Sequence, residues 1–183
     1  LLCPYFSNLA LKHLSRLKIN HCNLLTFEYR ILKEELLLLT LKTIKSIEKK
    51  SISWLDIGCG NGHELNTFIS LRNKLKDFKL NRDSIYLCDL NISHKLNNRK
   101  YLILQQHENI QQIKLIKQNI YESQIRDTIP YNSLDMITMF LSVSNLNTKL
   151  FKNLNYFLKP FGKVAIIFYD TTHLSSEGMF NID

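Results

Sequence analysis

The order of segments along the chain predicts an α/β fold: a doubly wound, mostly parallel sheet with helices on both faces. Two observations support this prediction. Short, apolar, β-prone runs alternate with amphipathic helical segments over most of the chain, and a glycine-rich turn joins the first such run to a helix. The chain has 183 residues, 45% of them hydrophobic, which suits one domain with a full core. In folds of this kind, ligands bind at the carboxyl ends of the strands.

The individual elements follow from hydrophobic periodicity and turn signals. Apolar residues at helical spacing predict a helix over 24–50, and the short run 52–57 predicts the first strand. The same reasoning predicts further helices over 64–75, 93–106, 121–127 and 149–158, and further strands over 84–88, 114–118, 134–140 and 163–168, the last opened by a turn at 159–162.

Composition narrows the classes of function. The net charge of +8 suits a polyanionic partner, but the lysines are scattered, so a basic face is not predicted from the sequence. The four cysteines form no C-x-x-C pair and have no histidine at zinc-finger spacing, so we expect reduced thiols and no metal site. No apolar run approaches the roughly 20 residues that span a bilayer. We therefore expect a cytoplasmic protein without a membrane partner; the oligomeric state is not predicted.

The most informative segment is the turn after the first strand, which reads WLDIGCGNGHEL over 54–65. Its glycines, Gly58, Gly60 and Gly62, have the spacing G-x-G-x-G. Glycine at the first position permits a sharp turn out of the strand, and glycine at the second lets a ligand approach the backbone where a Cβ would collide. A dinucleotide loop would need glycine at position 63, where His63 stands. The turn contains no P-loop pattern either.

Here the chain resembles the class I S-adenosylmethionine-dependent methyltransferases, whose first loop has the pattern acidic-x-G-x-G-x-G. Asp56 and the three glycines match that pattern, and the resemblance continues over about residues 50–170. It implies that S-adenosylmethionine is the cofactor. The second strand ends at Asp89, where the family places a carboxylate on the ribose hydroxyls; two acceptor oxygens suit a vicinal diol.

The resemblance also implies the rest of the cofactor site. After the third strand, Asn119 occupies the place that holds the adenine amine, and Ile120 that of a residue covering the ring. The expected cofactor contacts are Asp56, Gly58, Cys59, Gly60, Gly62, Asp89, Leu90, Asn119, Ile120 and Phe140. Catalytic residues are not identified; Tyr169, Asp170 and His173 follow the fifth strand and are the candidates for a proton acceptor.

The implied activity is methyl transfer to a small molecule that the sequence does not identify. The alternatives are methylation of RNA at a cap guanine N7, for which Lys95 and Arg99 are candidate phosphate contacts, and a non-catalytic binding subunit. The loop after the fourth strand, 141–146, lacks the N-P-P-Y type signature of adenine amino-methylating enzymes. We expect an N-terminal helical segment at 1–50 and the methyltransferase domain at 51–183, without the family's final β-hairpin.

Overall fold

The structure, a computed structural model, describes residues 21–45, 51–74, 82–140, 142 and 146–167. Its core is one five-stranded sheet in the order β3-β2-β1-β4-β5, and every strand pairing is parallel. The elements are, in chain order, α1 (His21–Lys45), β1 (Ser53–Ile57), α2 (His63–Lys74), β2 (Asp83–Cys88), α3 (His94–Gln106), β3 (Ile110–Ile116), a 3₁₀ helix (Ser123–Asp127), β4 (Leu134–Phe140), α4 (Thr148–Phe157) and β5 (Leu158–Ile167). The predicted α/β class is confirmed.

The strand order creates a switch point beside β1. The chain runs outward from β1 to β2 and β3, then returns to place β4 on the other side of β1. At such a reversal the connections leave the sheet in opposite directions, and a crevice opens outside the carboxyl ends of the strands. The order reverses between β1 and β4, so the general rule for such sheets predicts a ligand site at the carboxyl end of β1.

Two apolar cores cover the two faces of the sheet. On one face, Trp54 stacks on Phe68 of α2, with ring centroids 4.3 Å apart, among side chains of α3 and of the part of α1 after Glu35. On the other face, Leu55 packs with Ile125 of the 3₁₀ helix and Phe157 of α4. Consecutive residues of β1 thus serve opposite cores, as the two-residue period of a strand requires.

The chain falls into two compact units that divide within α1, between Glu35 and Leu36. The helix itself continues to Lys45. The predicted division into segments 1–50 and 51–183 stays a prediction. The expected lack of a final β-hairpin concerns residues 168–183, which lie outside the described residues.

The third strand begins earlier than predicted, at Ile110 instead of residue 114, and ends at Ile116. Its buried residues are Ile110, Ile113 and Ile116, a spacing of three that hides the alternation expected of a strand. Pairing with β2 decides its position, because Asp83 lies opposite Ile110 and Cys88 opposite Ile116.

The fifth strand also begins earlier than predicted, directly after α4 at Leu158. Leu134 of β4 pairs with Leu158, and Met136 of β4 pairs with Lys163. The four residues 159–162 of β5 therefore lie opposite the single β4 residue between Leu134 and Met136. The predicted turn is therefore a bulge inside β5. The exposed Phe161 adopts φ +66° there, a conformation that favours glycine.

A buried ion pair joins α2 to the start of β2, at the end of the sheet opposite the glycine loop. Arg72 donates from Nε to Asp83 Oδ2 at 2.5 Å and from Nη2 to Oδ1 at 2.6 Å, and both side chains are almost fully buried. Asp83 Oδ1 also accepts a hydrogen bond from Ile52 N at 2.8 Å. The bidentate geometry places each buried charge beside its counter-charge, and the further donor binds the carboxylate.

We expect Asp83→Asn to lower the free energy of unfolding by about 3–5 kcal/mol, because it leaves the Arg72 charge buried without its counter-charge. Denaturant unfolding measures this loss. Asp127→Asn, an exposed change on the 3₁₀ helix, is the matched control and should change stability by less than about 0.5 kcal/mol. A loss below about 1 kcal/mol for Asp83→Asn would contradict the assigned role of the pair.

The outer side of the glycine loop rests on α3. A Cβ added to Gly62, whose φ is +71°, would lie 2.5 Å from Leu96 Cδ1. Arg99 Nη1 donates to the carbonyl oxygens of Asn61 and Gly62 at 2.7 and 2.9 Å. Arg99 therefore holds the loop, a role that its sequence position did not reveal, and its replacement changes the loop as well as the surface charge.

We expect Gly62→Ala to destabilise the protein by about 2–3 kcal/mol, since it combines a left-handed backbone conformation with overpacking against Leu96. The added methyl group has room once Leu96 is shortened. The double variant Gly62→Ala/Leu96→Ala should therefore lose less stability than the sum of the single variants in a double-mutant cycle. Additive losses would show that Leu96 is not what excludes a side chain at this glycine.

Candidate functional site

Backbone hydrogen bonds tie the glycine loop to the end of β2. Gly58 N and Cys59 N both donate to Cys88 O, at 2.7 and 3.3 Å. Gly58 and Gly60 have φ values of +72° and +50°, which residues with side chains rarely adopt. A Cβ added to Gly60 would meet no atom of the described residues within 4 Å, so this glycine leaves its backbone accessible on that side. The loop thus presents bare backbone at the switch point of the sheet.

Asp89, directly after β2, links the two strand ends through its carboxylate. Oδ2 accepts a hydrogen bond from Gly60 N at 2.8 Å, and Oδ1 accepts one from Asn91 N at 2.9 Å. The side chain is only half-buried. Because each carboxylate oxygen accepts more than one hydrogen bond, both remain able to accept from hydroxyl groups of a ligand.

A cavity of about 220 Å³ opens beside this carboxylate. Five of the predicted cofactor contacts line it: Gly58, Asp89, Leu90, Asn119 and Ile120. The other five predicted contacts, namely Asp56, Cys59, Gly60, Gly62 and Phe140, are not among its lining residues. The structure therefore gathers the ends of β1 and β2 and the segment after β3 around one space.

Two of the predicted contacts outside the lining belong to the buried sheet. Asp56 is 2% exposed, and its Oδ1 accepts a hydrogen bond from Thr138 Oγ1 at 2.7 Å. Thr138 in turn accepts one from Trp54 Nε1 at 2.9 Å. This chain links β1 to β4 beneath the glycine loop. Phe140 is 8% exposed and ends β4.

The two cysteines at the loop are neutral thiols. Burial, reinforced by the negative charges of Asp56 and Asp89, raises the pKa of the Cys59 thiol far above its usual range. Burial and the nearby Asp89 raise the pKa of Cys88 to about 12. Cys88 Sγ donates to Gln118 O at 3.4 Å. Neither side chain is an activated nucleophile at neutral pH.

The far wall of the cavity is the segment after β3, and α4 holds it. Asn153 of α4 is 2% exposed and donates from Nδ2 to Ile120 O at 2.6 Å and to Glu122 O at 3.1 Å. Asn119 Oδ1 accepts a hydrogen bond from Tyr121 N at 3.1 Å. The amide oxygen expected to receive the adenine amine thus already caps a turn, and a second lone pair is left for a ligand.

Ser142, after β4, is a lining residue that was not predicted from the sequence. A Cβ on Gly58 would lie 1.9 Å from Ser142 Cβ, so the glycine is required for this close approach. Its hydroxyl oxygen is buried and has no hydrogen-bond partner among the described residues. The only signal in the sequence was its place in the loop expected to follow the fourth strand. Cys88, Gln118 and Tyr121 also line the cavity without having been singled out as contacts.

The candidate proton acceptors Tyr169, Asp170 and His173 lie outside the described residues. Within the described ranges, no group of three or more histidine, cysteine, aspartate or glutamate side chains could hold a metal ion. No helix among the same residues has the length and apolar character needed to cross a membrane.

Similarity to known proteins is found in structure and not in sequence. No protein-family model matches the chain, and no curated protein does. The methyltransferase CalH, solved in complex with SAH, aligns with a TM-score of 0.53 at 15% identity. The alignment covers 80% of this chain and 40% of CalH.

A second solved structure, the 1,6-didemethyltoxoflavin-N1-methyltransferase of Burkholderia thailandensis, aligns with a TM-score of 0.50 at 14% identity. The alignment covers 91% of this chain and 64% of that one. The chain thus spans less than two thirds of the length of either protein. With its parallel sheet in the order 3-2-1-4-5, the chain has the Rossmann-like fold of the class I S-adenosylmethionine-dependent methyltransferases.

Proposed function

We propose that this protein binds S-adenosylmethionine and transfers its methyl group to a small molecule. The observation that carries the proposal is the bridge from Gly60 N to the Asp89 carboxylate beside the cavity at the switch point. Three features converge there: bare glycine backbone, a carboxylate with acceptor capacity, and a partly apolar pocket. A scaffold protein has no need of this combination.

The residues present suit the cofactor. Asp89 would accept hydrogen bonds from both ribose hydroxyls. Leu90 and Ile120, which line the cavity, would contact the adenine, and Asn119 would bond its exocyclic amine. The buried Ser142 hydroxyl offers a donor and an acceptor that no described residue uses. Each of these groups faces the same cavity or borders it.

The sulfonium of the cofactor supplies an activated methyl group when bound. The task left to the protein is to hold the donor and acceptor in line and to exclude water. The glycine loop, Asp89 and the wall held by Asn153 provide a preorganised frame for the donor. A hydroxyl acceptor would also need a base, and Tyr169, Asp170 and His173 remain the candidates for it.

The choice of a small-molecule acceptor draws on the structural neighbours. The Burkholderia enzyme was solved with 1,6-didemethyltoxoflavin and S-adenosylhomocysteine bound. Its fold relationship to this chain supports a small acceptor here, whose identity the cavity does not specify. Calorimetry with S-adenosylmethionine and S-adenosylhomocysteine is the first test of the proposal, because it requires no acceptor. If neither compound binds, the proposal is wrong.

We expect Asp89→Ala to weaken binding of S-adenosylhomocysteine by about 1.5–3 kcal/mol, or roughly 10- to 150-fold, through loss of charge-assisted hydrogen bonds. Because Asp89 also holds Gly60, this loss alone does not identify the ribose as its partner. Calorimetry should therefore compare S-adenosylhomocysteine with its 2′-deoxy analogue on both proteins. Removal of the hydroxyl should weaken binding to the parent protein and have little effect on the variant.

An equal effect of the missing hydroxyl on both proteins would show that Asp89 acts on the loop alone. Asp127→Asn, which removes a charge from the exposed 3₁₀ helix, is the control and should leave the affinity unchanged.

We expect Ser142→Ala to have effects of opposite sign on folding and on binding. Without ligand, removal of a buried hydroxyl that lacks a described partner should leave stability unchanged or raise it by up to about 1 kcal/mol. Affinity for S-adenosylhomocysteine should fall about threefold to tenfold, as for loss of one hydrogen bond. Thermal unfolding and calorimetry measure the two quantities. A loss of stability with unchanged affinity would remove Ser142 from the proposed site.

A further inference from the structure

A second, larger cavity lies between the 3₁₀ helix and α4. Its volume is about 390 Å³, and it is an open groove. The polar side chains that matter for its chemistry are those of Tyr121, Glu122, Arg126, Lys149, Lys152 and Asn153. Of the described residues, only Tyr121 also lines the cavity beside Asp89. The two spaces are therefore neighbours with different linings.

The groove carries an excess of positive charge. In the part of the chain that the structure describes, three cations line it together with one carboxylate, Glu122; the cations are Arg126, Lys149 and Lys152. The two lysines stand three residues apart on α4, a spacing that places them on the same side of a helix. Among the described residues, neither lysine nor Arg126 forms an ion pair. Their charges are thus available to an anion in the groove.

The position of Lys149 is unfavourable for the helix alone. It stands in the first turn of α4, which contains no acidic residue. The N-terminal end of a helix carries partial positive charge, so a cation there lowers helix stability. A bound anion would interact favourably with both the lysine and the end of the helix. A local conflict of this kind is typical of a functional position.

The groove also contains a buried polar group that orients one of the cations. Asn153, 2% exposed, accepts a hydrogen bond from Arg126 Nε at 2.8 Å. The Arg126 guanidinium lies 4.9 Å from the centre of the Tyr156 ring. A guanidinium held by a hydrogen bond and a ring face has lost freedom before any ligand arrives. Its planar set of donors suits the oxygens of a phosphate group.

We infer that the groove between the 3₁₀ helix and α4 binds the phosphate group of a phosphorylated ligand, through Arg126, Lys149 and Lys152. Asn153 is a positioning residue in this site: the amide that orients Arg126 also bonds Ile120 O and Glu122 O in the wall of the neighbouring cavity. The inference does not rest on the proposed methyltransferase activity, because none of the three cations lines the cavity beside Asp89.

The test is an NMR titration of the whole chain with inorganic phosphate at constant ionic strength. Saturable shifts should appear at Arg126 and Asn153. Lys149→Gln/Lys152→Gln should weaken phosphate binding at least fivefold, while Lys42→Gln/Lys74→Gln, which removes two exposed charges elsewhere, should leave it unchanged. An absence of saturable shifts, or equal weakening by both double variants, would overturn the inference. Affinity for S-adenosylhomocysteine, measured on the same variants, should not change, which separates this site from the proposed cofactor site.

The phosphate group could belong to a small phosphorylated ligand or to RNA. Two further probes, ribose 5-phosphate and a ten-nucleotide RNA, distinguish these sources. Binding of ribose 5-phosphate that is lost in Lys149→Gln/Lys152→Gln supports a small phosphorylated ligand. If the source is RNA, the ten-nucleotide RNA should bind at least about a hundredfold more tightly than ribose 5-phosphate. In Lys149→Gln/Lys152→Gln, the slope of the logarithm of the binding constant against the logarithm of salt concentration should then be smaller by about 1.4. Each phosphate contact on a single strand contributes about 0.7 to this slope, and the variant removes two contacts. Binding of both probes with no loss in that variant would overturn the inference.

Discussion

The hydrogen bond from Gly60 N to the Asp89 carboxylate is the interaction on which the proposed site depends. It fixes the loop after β1 against the end of β2, together with the bonds from Gly58 and Cys59 to Cys88 O. A loop of this composition would otherwise sample many conformations, because glycine loses more backbone entropy on ordering than other residues. Because the protein makes these hydrogen bonds to itself, they restrict the conformations of the loop and lower the entropy cost of ordering it on binding.

Helices on both faces of the sheet support that frame. Arg99 of α3 holds the outer carbonyl groups of the loop, whereas Asn153 of α4 holds the segment at the opposite wall. Neither residue belongs to the glycine motif. The proposed cofactor cavity is thus shaped by side chains that do not line it, and substitutions on α3 or α4 can change binding without touching the ligand. The Asn153 side chain also lines the groove between the 3₁₀ helix and α4. One residue therefore supports both cavities.

Charged side chains join neighbouring elements at the other end of the sheet. The Arg72–Asp83 pair joins α2 to β2, and Asp135 accepts hydrogen bonds from Ser53 N and Lys159 Nζ, both at 3.0 Å. These contacts join neighbouring elements where the strands begin, far from the glycine loop where they end. The division agrees with parallel α/β folds in general, in which the carboxyl ends of the strands bind ligands. At the opposite ends, side chains are free to serve stability.

The sequence by itself determined the α/β class, the glycine loop and the place of Asp89, because strand-helix alternation and motif spacing are local properties of the chain. The bounds of β4, 134–140, were predicted residue for residue, because the run LDMITMF is short, mostly apolar and β-prone. Only the tertiary structure decided the register of β3, the bulge at Phe161, and the roles of Arg72, Arg99 and Asn153. Each of these depends on a partner 11 to 38 residues away or on a neighbouring strand. Such pairings are set by how elements pack, which hydrophobic periodicity does not encode.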